Sequence, residues 1–341
     1  MADINQKPSV LFITQKIHEN DDDLGFVILW VKEFIKQGVD VKVICLEKGD
    51  FNNSFPVYSL GKEKGYGKVR LSLRFLKLIL TLKYNRVFVH MNPEYFTLGG
   101  WYWFLKRIPM YLWYTHYTMH VHLRLAGWLC KRMFAATPQS LPQYNGSPKK
   151  IITGHGIDLV FWGAALSENR QPPEKLLSVH RLCRSKRLEL GIRALKHLPD
   201  EYSLTVYGRD VEKDYVQELH NLVSTEGLSE RVEFKGPVPM HELKAVYQGH
   251  RIVVNMASET IDKTMLEAML FGMYPITTKA NSQAIGLPVS IEHDDPKEIA
   301  DFILSKKWEQ YDATYLQNSV KERHSLASLI RQINEYIKPG N

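Results

Sequence analysis

Short apolar runs alternate with helix-period patterns from one end of this chain to the other, and that alternation admits few folds. Val10-Leu11-Phe12-Ile13-Thr14, Val41-Lys42-Val43-Ile44-Cys45-Leu46, Val87-Phe88-Val89-His90, Met110-Tyr111-Leu112-Trp113-Tyr114-Thr115, Phe134-Ala135-Ala136 and Ile151-Ile152 form one series. Lys175-Leu176-Leu177-Ser178-Val179, Leu204-Thr205-Val206-Tyr207, Val232-Glu233-Phe234, Ile252-Val253-Val254-Asn255 and Tyr274-Pro275-Ile276-Thr277-Thr278 form a second. Runs of this kind suit strands buried on both faces, with the helices between them as the crossovers of parallel sheets. The expected fold class is α/β, with two similar sheets in succession. Between the series, Gly163 to Glu174 holds Asn169-Arg170-Gln171-Pro172-Pro173, the composition of an exposed linker. The expected division is 1–165 for an N-terminal domain and 166–315 for a second, with a C-terminal helix over 316–341 returning to the first. Ligands of open α/β sheets bind outside the carboxyl ends of the strands, so two such domains are expected to face each other across a cleft.

With 341 residues the chain can bury two cores. No stretch reaches the roughly 18 unbroken apolar residues of a membrane span, and the polar start from Met1 to Lys7 has no signal-peptide core, so a cytoplasmic chain is expected. Cys45, Cys130 and Cys183 lie far apart without zinc spacing, which fits reduced thiols. The formal charge of +7 is concentrated: Lys62 to Arg86 holds eight basic residues and one acid, Glu63, a surplus equal to that of the whole chain. Apolar residues interleave there, so a helix would carry a basic edge beside a hydrophobic face. Two readings fit the stretch. One is a helix packed on a sheet with exposed Lys and Arg stems. The other is peripheral contact with an anionic membrane through 62–86, at its inner face, where each basic residue contributes on the order of 1 kcal/mol. Nucleic acid is the weaker partner, because no aromatic RNA-binding signature, zinc finger or helix-turn-helix pattern accompanies the charge.

The residues that point to chemistry cluster in the second half. Glu259 and Glu267 flank Thr260 to Leu266, where the strand Ile252-Val253-Val254 runs towards a helix starting near Asp262. Backbone N–H groups left unpaired at such a start suit a phosphate group, although two Glu so spaced also fit an exposed helix. His180-Arg181-Leu182-Cys183-Arg184-Ser185-Lys186 follows a strand, so Arg181 and Lys186 sit on its carboxyl-end loop. A guanidinium fork and a mobile ammonium suit a diphosphate, and they also suit a solvated loop. Gly154 and Gly156 in Thr153-Gly154-His155-Gly156-Ile157-Asp158 predict a tight turn. Gly25 opens the helix that starts at Val27, and His116 ends the Met110 to Thr115 run among Tyr114, Tyr117, His120 and His122. No His pair has the spacing and flanking acids of a metal motif, so no metal and no cofactor is expected.

In order and spacing these pieces resemble the retaining glycosyltransferases of family 4. The carrying residues are Gly156-Ile157-Asp158-Leu159-Val160-Phe161, Arg181-Leu182-Cys183-Arg184-Ser185-Lys186, Val206-Tyr207-Gly208, Phe234-Lys235-Gly236, and the glutamate pair followed by Ala268-Met269-Leu270-Phe271-Gly272. The resemblance covers most of the chain and is strongest over 151–278. It implies a GT-B fold of two Rossmann-like domains and a metal-independent enzyme. That enzyme moves a sugar from a nucleotide diphosphate sugar to a glycan or lipid-linked sugar, with retained configuration and front-face attack. It further implies that Arg181 and Lys186 hold the donor diphosphate, Glu259 contacts the donor sugar and Glu267 the ribose hydroxyls, and His116 lies beside the reacting sugar. Gly25 lines the acceptor or phosphate side, Gly208, Gly236, Asp262, Lys263 and Thr264 belong to the donor side, and backbone groups near Ile261 to Thr264 meet the diphosphate. By the same resemblance 1–165 is the acceptor-side domain and 166–315 the nucleotide-sugar-binding domain.

The chain departs from the family pattern where Thr260-Ile261-Asp262-Lys263 replaces the frequent Gly-Phe-Gly-Leu. An aspartate beside a diphosphate is unfavourable by Coulomb's law, and Lys263 adds a compensating cation. A sugar-nucleotide epimerase of the same architecture and a catalytically silent glycosyltransferase-like subunit are the alternatives.

Overall fold

The structure is a computed structural model, and it describes residues 8–21, 23–163, 172–258 and 261–338. Each apolar run named above contributes to a strand. Those of the first series are β1 (Ser9–Ile17), β2 (Asp40–Lys48), β4 (Arg86–His90), β5 (Met110–Tyr114), β6 (Arg132–Ala135) and β7 (Lys150–Ile152). A further strand, β3 (Val57–Ser59), went unpredicted: at three half-buried residues on the sheet edge it is too short to give an apolar run. The sheet runs β3-β2-β1-β4-β5-β6-β7, parallel throughout.

Both faces of this sheet are covered, which explains the unbroken apolar runs. Val10 and Phe12 of β1 pack on one side against Trp30 and Phe34 of the helix Val27–Lys36 and Ile330 and Ile333 of the C-terminal helix Leu326–Ile337. Leu11 and Ile13 pack on the other side with Phe75, Phe96, Trp103 and Leu123, from helices Lys68–Thr81, Glu94–Leu105 and Val121–Leu129. The helix over Lys68–Thr81 buries only Phe75 and Ile79, so it packs on the sheet and still exposes its basic residues.

The second series gives β8 (Lys175–Val179), β9 (Ser203–Tyr207), β10 (Val232–Gly236), β11 (Ile252–Asn255) and β12 (Tyr274–Thr277), parallel in the order β10-β9-β8-β11-β12. Strand order reverses between β8 and β11. That reversal is the switch point beside which ligands of such sheets bind.

The chain divides into one unit of Met1–Gly156 with Ser325–Asn341 and a second of Ile157–His324. These borders differ from the expected 165/166 and 315/316 for identifiable reasons. Ile157 and Trp162 already belong to the second unit's core. The helix Ala313–His324 adds Leu316 and Val320 to the same core, and its Gln317 side chain donates to the Leu270 carbonyl at 2.8 Å. Most of the expected linker, 164–171, lies outside the described residues.

Candidate nucleotide-diphosphate site

Eight of the sequence-predicted site residues lie at the carboxyl edge of the five-stranded sheet or on the helix beside it: Arg181, Lys186, Gly208, Gly236, Asp262, Lys263, Thr264 and Glu267. Glu259 and Thr260 lie outside the described residues. The loop after β8 turns through a short 3-10 segment, Arg184–Lys186, which carries Lys186 inward until it is 5% exposed. Its ammonium pairs with the Asp262 carboxylate, whose second oxygen accepts from the Asn255 amide at 2.8 Å. Arg181 stays exposed on the same loop.

Asp262 occupies the N-cap position of the helix Lys263–Leu270 yet makes no side-chain cap to it, because its oxygens are turned to Lys186 and Asn255. Burial works against its charge, but Lys186, by charge and hydrogen bond, prevails and holds the carboxyl below its ordinary range. Burial also pushes the neighbouring His180 imidazole down to about 4, with Lys186 adding to the effect, so His180 is neutral at pH 7.

Two further hydrogen bonds join the loops on either side of the switch point. The Ser258 N–H donates to the Ser185 carbonyl at 3.1 Å, and the Arg187 Nε–H to the Met256 carbonyl at 2.8 Å. Gly208 is fixed by space: a Cβ there would sit 1.8 Å from the His180 carbonyl oxygen. Its N–H donates to the Gly236 carbonyl at 2.9 Å, and Gly236 has a φ of +74°, a left-handed conformation that favours glycine. The β9 and β10 loops are thereby held against the β8 loop.

The helix Lys263–Leu270 starts beside the paired Lys186, and its first N–H groups have no earlier carbonyl within the helix. The Thr264 hydroxyl oxygen, in this first turn, is buried with no hydrogen-bond partner among the described residues. Lys263 and Glu267 sit one turn apart, and Glu267 is 6% exposed with the Tyr247 hydroxyl 3.3 Å from its Oε2. Burial drives the Glu267 carboxyl up and the Lys263 ammonium down, and their mutual attraction opposes both shifts. Chemically, the edge offers two cations and a helix start suited to an anion, with a buried carboxyl suited to a diol.

Gly25 and His116 belong to the other unit. Gly25 lies in the turn after β1, where a Cβ would meet the Asp21 carbonyl oxygen at 2.7 Å and where Asp21 Oδ1 accepts from the Leu24 N–H at 2.7 Å. His116 follows β5, half-buried, its ring edge-on to Tyr114 at 5.4 Å. Three residues of the five-stranded sheet's carboxyl edge were not singled out in the sequence: His180, Asn255 and Tyr247. Asn255 left one signal, a lone amide closing the apolar run Ile252-Val253-Val254, whereas Tyr247 reads as an ordinary helical aromatic. Among the described residues no group of three His, Cys, Asp or Glu is arranged to hold a metal, and no helix is long and apolar enough to cross a membrane.

Residues 166–325 match the family model described as Glycosyl transferases group 1. Anabaena HepE, solved in complex with UDP and glucose, is similar over 97% of this chain and 99% of its own, with a TM-score of 0.75 and 19% identity. The fold is GT-B. Sucrose-phosphate synthase from Thermosynechococcus elongatus is similar at TM-score 0.75 and 14% identity, covering 97% of this chain and 98% of that one. WaaG, a glycosyltransferase involved in lipopolysaccharide biosynthesis, gives 0.67 and 14%, covering 97% and 100%. No curated protein matches the chain. The family match spans just under half of the chain, and the likeness to these solved structures is one of fold.

Proposed function

We propose that the chain is a retaining, metal-independent family 4 glycosyltransferase that moves a hexose from a nucleotide diphosphate sugar to a glycan or lipid-linked sugar. It acts in the cytoplasm, with peripheral contact to an anionic membrane through 62–86. One observation carries this reading: the buried Lys186 ammonium stands beside a helix start whose Thr264 hydroxyl lacks a partner among the described residues, at the switch point of a parallel sheet. In the reaction the bond from the sugar's anomeric carbon to the diphosphate breaks with its electron pair leaving on the phosphate oxygen, the acceptor hydroxyl oxygen bonds to that carbon from the same face, and the acceptor proton passes to the departing diphosphate. Lys186, Arg181 and the helix N–H groups meet that growing charge, each worth more there than in water because the site is partly dry.

Glu267 accepts from the ribose hydroxyls, Glu259 contacts the donor sugar, His116 stands by the reacting carbon and Gly25 lines the acceptor or phosphate side. These four roles rest on the family resemblance. No protein nucleophile is assigned. UDP-hexoses are the first donors to test, because HepE was solved with UDP and glucose. The experiment is a thermal-shift panel of UDP-, GDP- and ADP-sugars, followed by NMR of the anomeric proton in the product. A rise in melting temperature with one nucleotide and a retained anomer support the reading. No rise with any of them sinks it. The Asp262 carboxylate on Lys186 favours one second reading, a silent subunit, and donor binding without turnover on any acceptor identifies it.

A further inference from the structure

The N-terminal unit carries a surface that the donor site leaves unused. Residues 64–157 hold fourteen Lys and Arg against one acid, Glu94. In this unit the helices Lys68–Thr81, Glu94–Leu105 and Val121–Leu129 lie side by side on one face of the seven-stranded sheet. Their outer sides leave Trp101, Phe104, Leu105, Val121 and Trp128, along with Val69, Leu73 and Leu80 of the first helix, between 53% and 75% exposed. More than half of the exposed large apolar residues among those described therefore share one layer. The Phe104 and Trp128 rings meet at 5.3 Å and help line a groove of about 360 Å³, in which Thr97 is the one polar side chain.

Apart from Glu94 and Thr97 the helix Glu94–Leu105 is made of apolar residues and glycine, a composition that belongs inside a protein or against lipid, yet its outer side faces solvent. Trp101 already spends its indole N–H on the Leu98 carbonyl at 2.9 Å, so its ring can leave water without losing a hydrogen bond. Exposed basic residues surround the patch: Arg124 on the third helix, Lys106 and Arg107 after the second, Lys131 after the third. Aromatic side chains beside Lys and Arg are what a bilayer of acyl chains and anionic headgroups selects. A second copy of the chain is disfavoured, since pairing this face with itself brings like charges together.

We infer that this three-helix layer rests on an anionic membrane, with Trp101, Phe104, Leu105 and Trp128 among the acyl chains and the basic residues among the headgroups. The inference deepens the membrane contact proposed above and rests on it for the choice of lipid; the donor site plays no part in it. Five of the seven tryptophans (Trp30, Trp103, Trp113, Trp162 and Trp308) are buried, so fluorescence quenching by brominated acyl chains reports on Trp101 and Trp128.

The experiment adds the full chain to phosphatidylglycerol/phosphatidylcholine vesicles and to phosphatidylcholine alone, with and without brominated chains. Expected are binding to the anionic vesicles with strong quenching, and neither on neutral ones. A Trp101→Phe/Trp128→Phe variant keeps binding and loses the quenching. A Trp101→Gln/Phe104→Gln/Trp128→Gln variant loses at least tenfold in partitioning at an unchanged melting temperature. Binding without quenching overturns the inference and leaves the contact with the basic helix alone. Absence of binding overturns both, and a concentration-dependent dimer abolished by the triple variant assigns the face to a second copy. The melting shift produced by UDP, read in the same samples, keeps a failure of the donor reading separate.

Discussion

Replacing Lys186 tests the fold and the proposed phosphate site at once, because the ammonium paired with Asp262 is also the one assigned to the diphosphate. Its side chain is 6% exposed and that of Asp262 13%, so the pair lies in a poorly screened setting. Cutting one partner of a buried pair costs about 3–5 kcal/mol, since the other charge stays behind uncompensated. The 2.8 Å hydrogen bond from Asn255 to Asp262 does not involve Lys186, which places the cost of Lys186→Ala near the lower end, about 3 kcal/mol. At roughly 2–4 °C per kcal/mol for a unit of this size, the melting temperature falls by about 6–12 °C. Lys186→Met/Asp262→Asn removes both charges and keeps an acceptor for Asn255, so it regains most of that loss. The assay is differential scanning calorimetry with and without UDP. A ligand at a hundred times its Kd adds about 2.7 kcal/mol to the wild-type fold, and in the double variant most of that gain disappears. Wild-type melting in Lys186→Ala, or a double variant as unstable as the sum of the singles, refutes the buried pair. Wild-type UDP stabilisation in the stable double variant removes Lys186 from the phosphate site.

His180→Gln makes the acid side of the stability profile shallower without flattening it, since burial holds His324 at about 4 as well. With burial holding the folded imidazole at about 4 against an ordinary 6.5, only the unfolded chain takes up the proton in that window. Stability is therefore full above 6.5 and falls by about 3 kcal/mol as the pH drops to 4, which denaturant titrations across that range measure. An unchanged slope in the variant contradicts the assignment. Glu267→Gln weakens UDP binding by roughly ten- to a hundredfold and leaves pyrophosphate binding intact, because a charged hydrogen bond to the ribose is lost; calorimetric titration showing equal losses for both ligands contradicts the role. Gly208→Ala drives a methyl group to 1.8 Å from the His180 carbonyl oxygen, backbone against backbone, and costs more than about 3 kcal/mol. Wild-type melting there contradicts the close approach.

The parallel sheets were legible because strands such as Val10 to Thr14 are buried on both faces and so are apolar without interruption. The edge strand Val57–Ser59 has no such burial and left no trace in the pattern. The loops at the carboxyl edge could be read from their strands, and Arg181 and Lys186 fell where the register of β8 puts them. What Lys186 touches could not be read, since Asp262 is 76 residues away in sequence and meets it only through the β8/β11 pairing. Composition cannot sort the aromatic residues of the helix Glu94–Leu105, and only packing separates buried Trp103 from exposed Trp101 and Phe104.

A crystal structure with UDP bound tests the central claim most directly. The diphosphate is expected at the start of the helix Lys263–Leu270, within hydrogen-bond reach of the Lys186 ammonium, with the ribose hydroxyls on Glu267. UDP held on another surface, or a diphosphate turned away from Lys186 and that helix start, contradicts that claim.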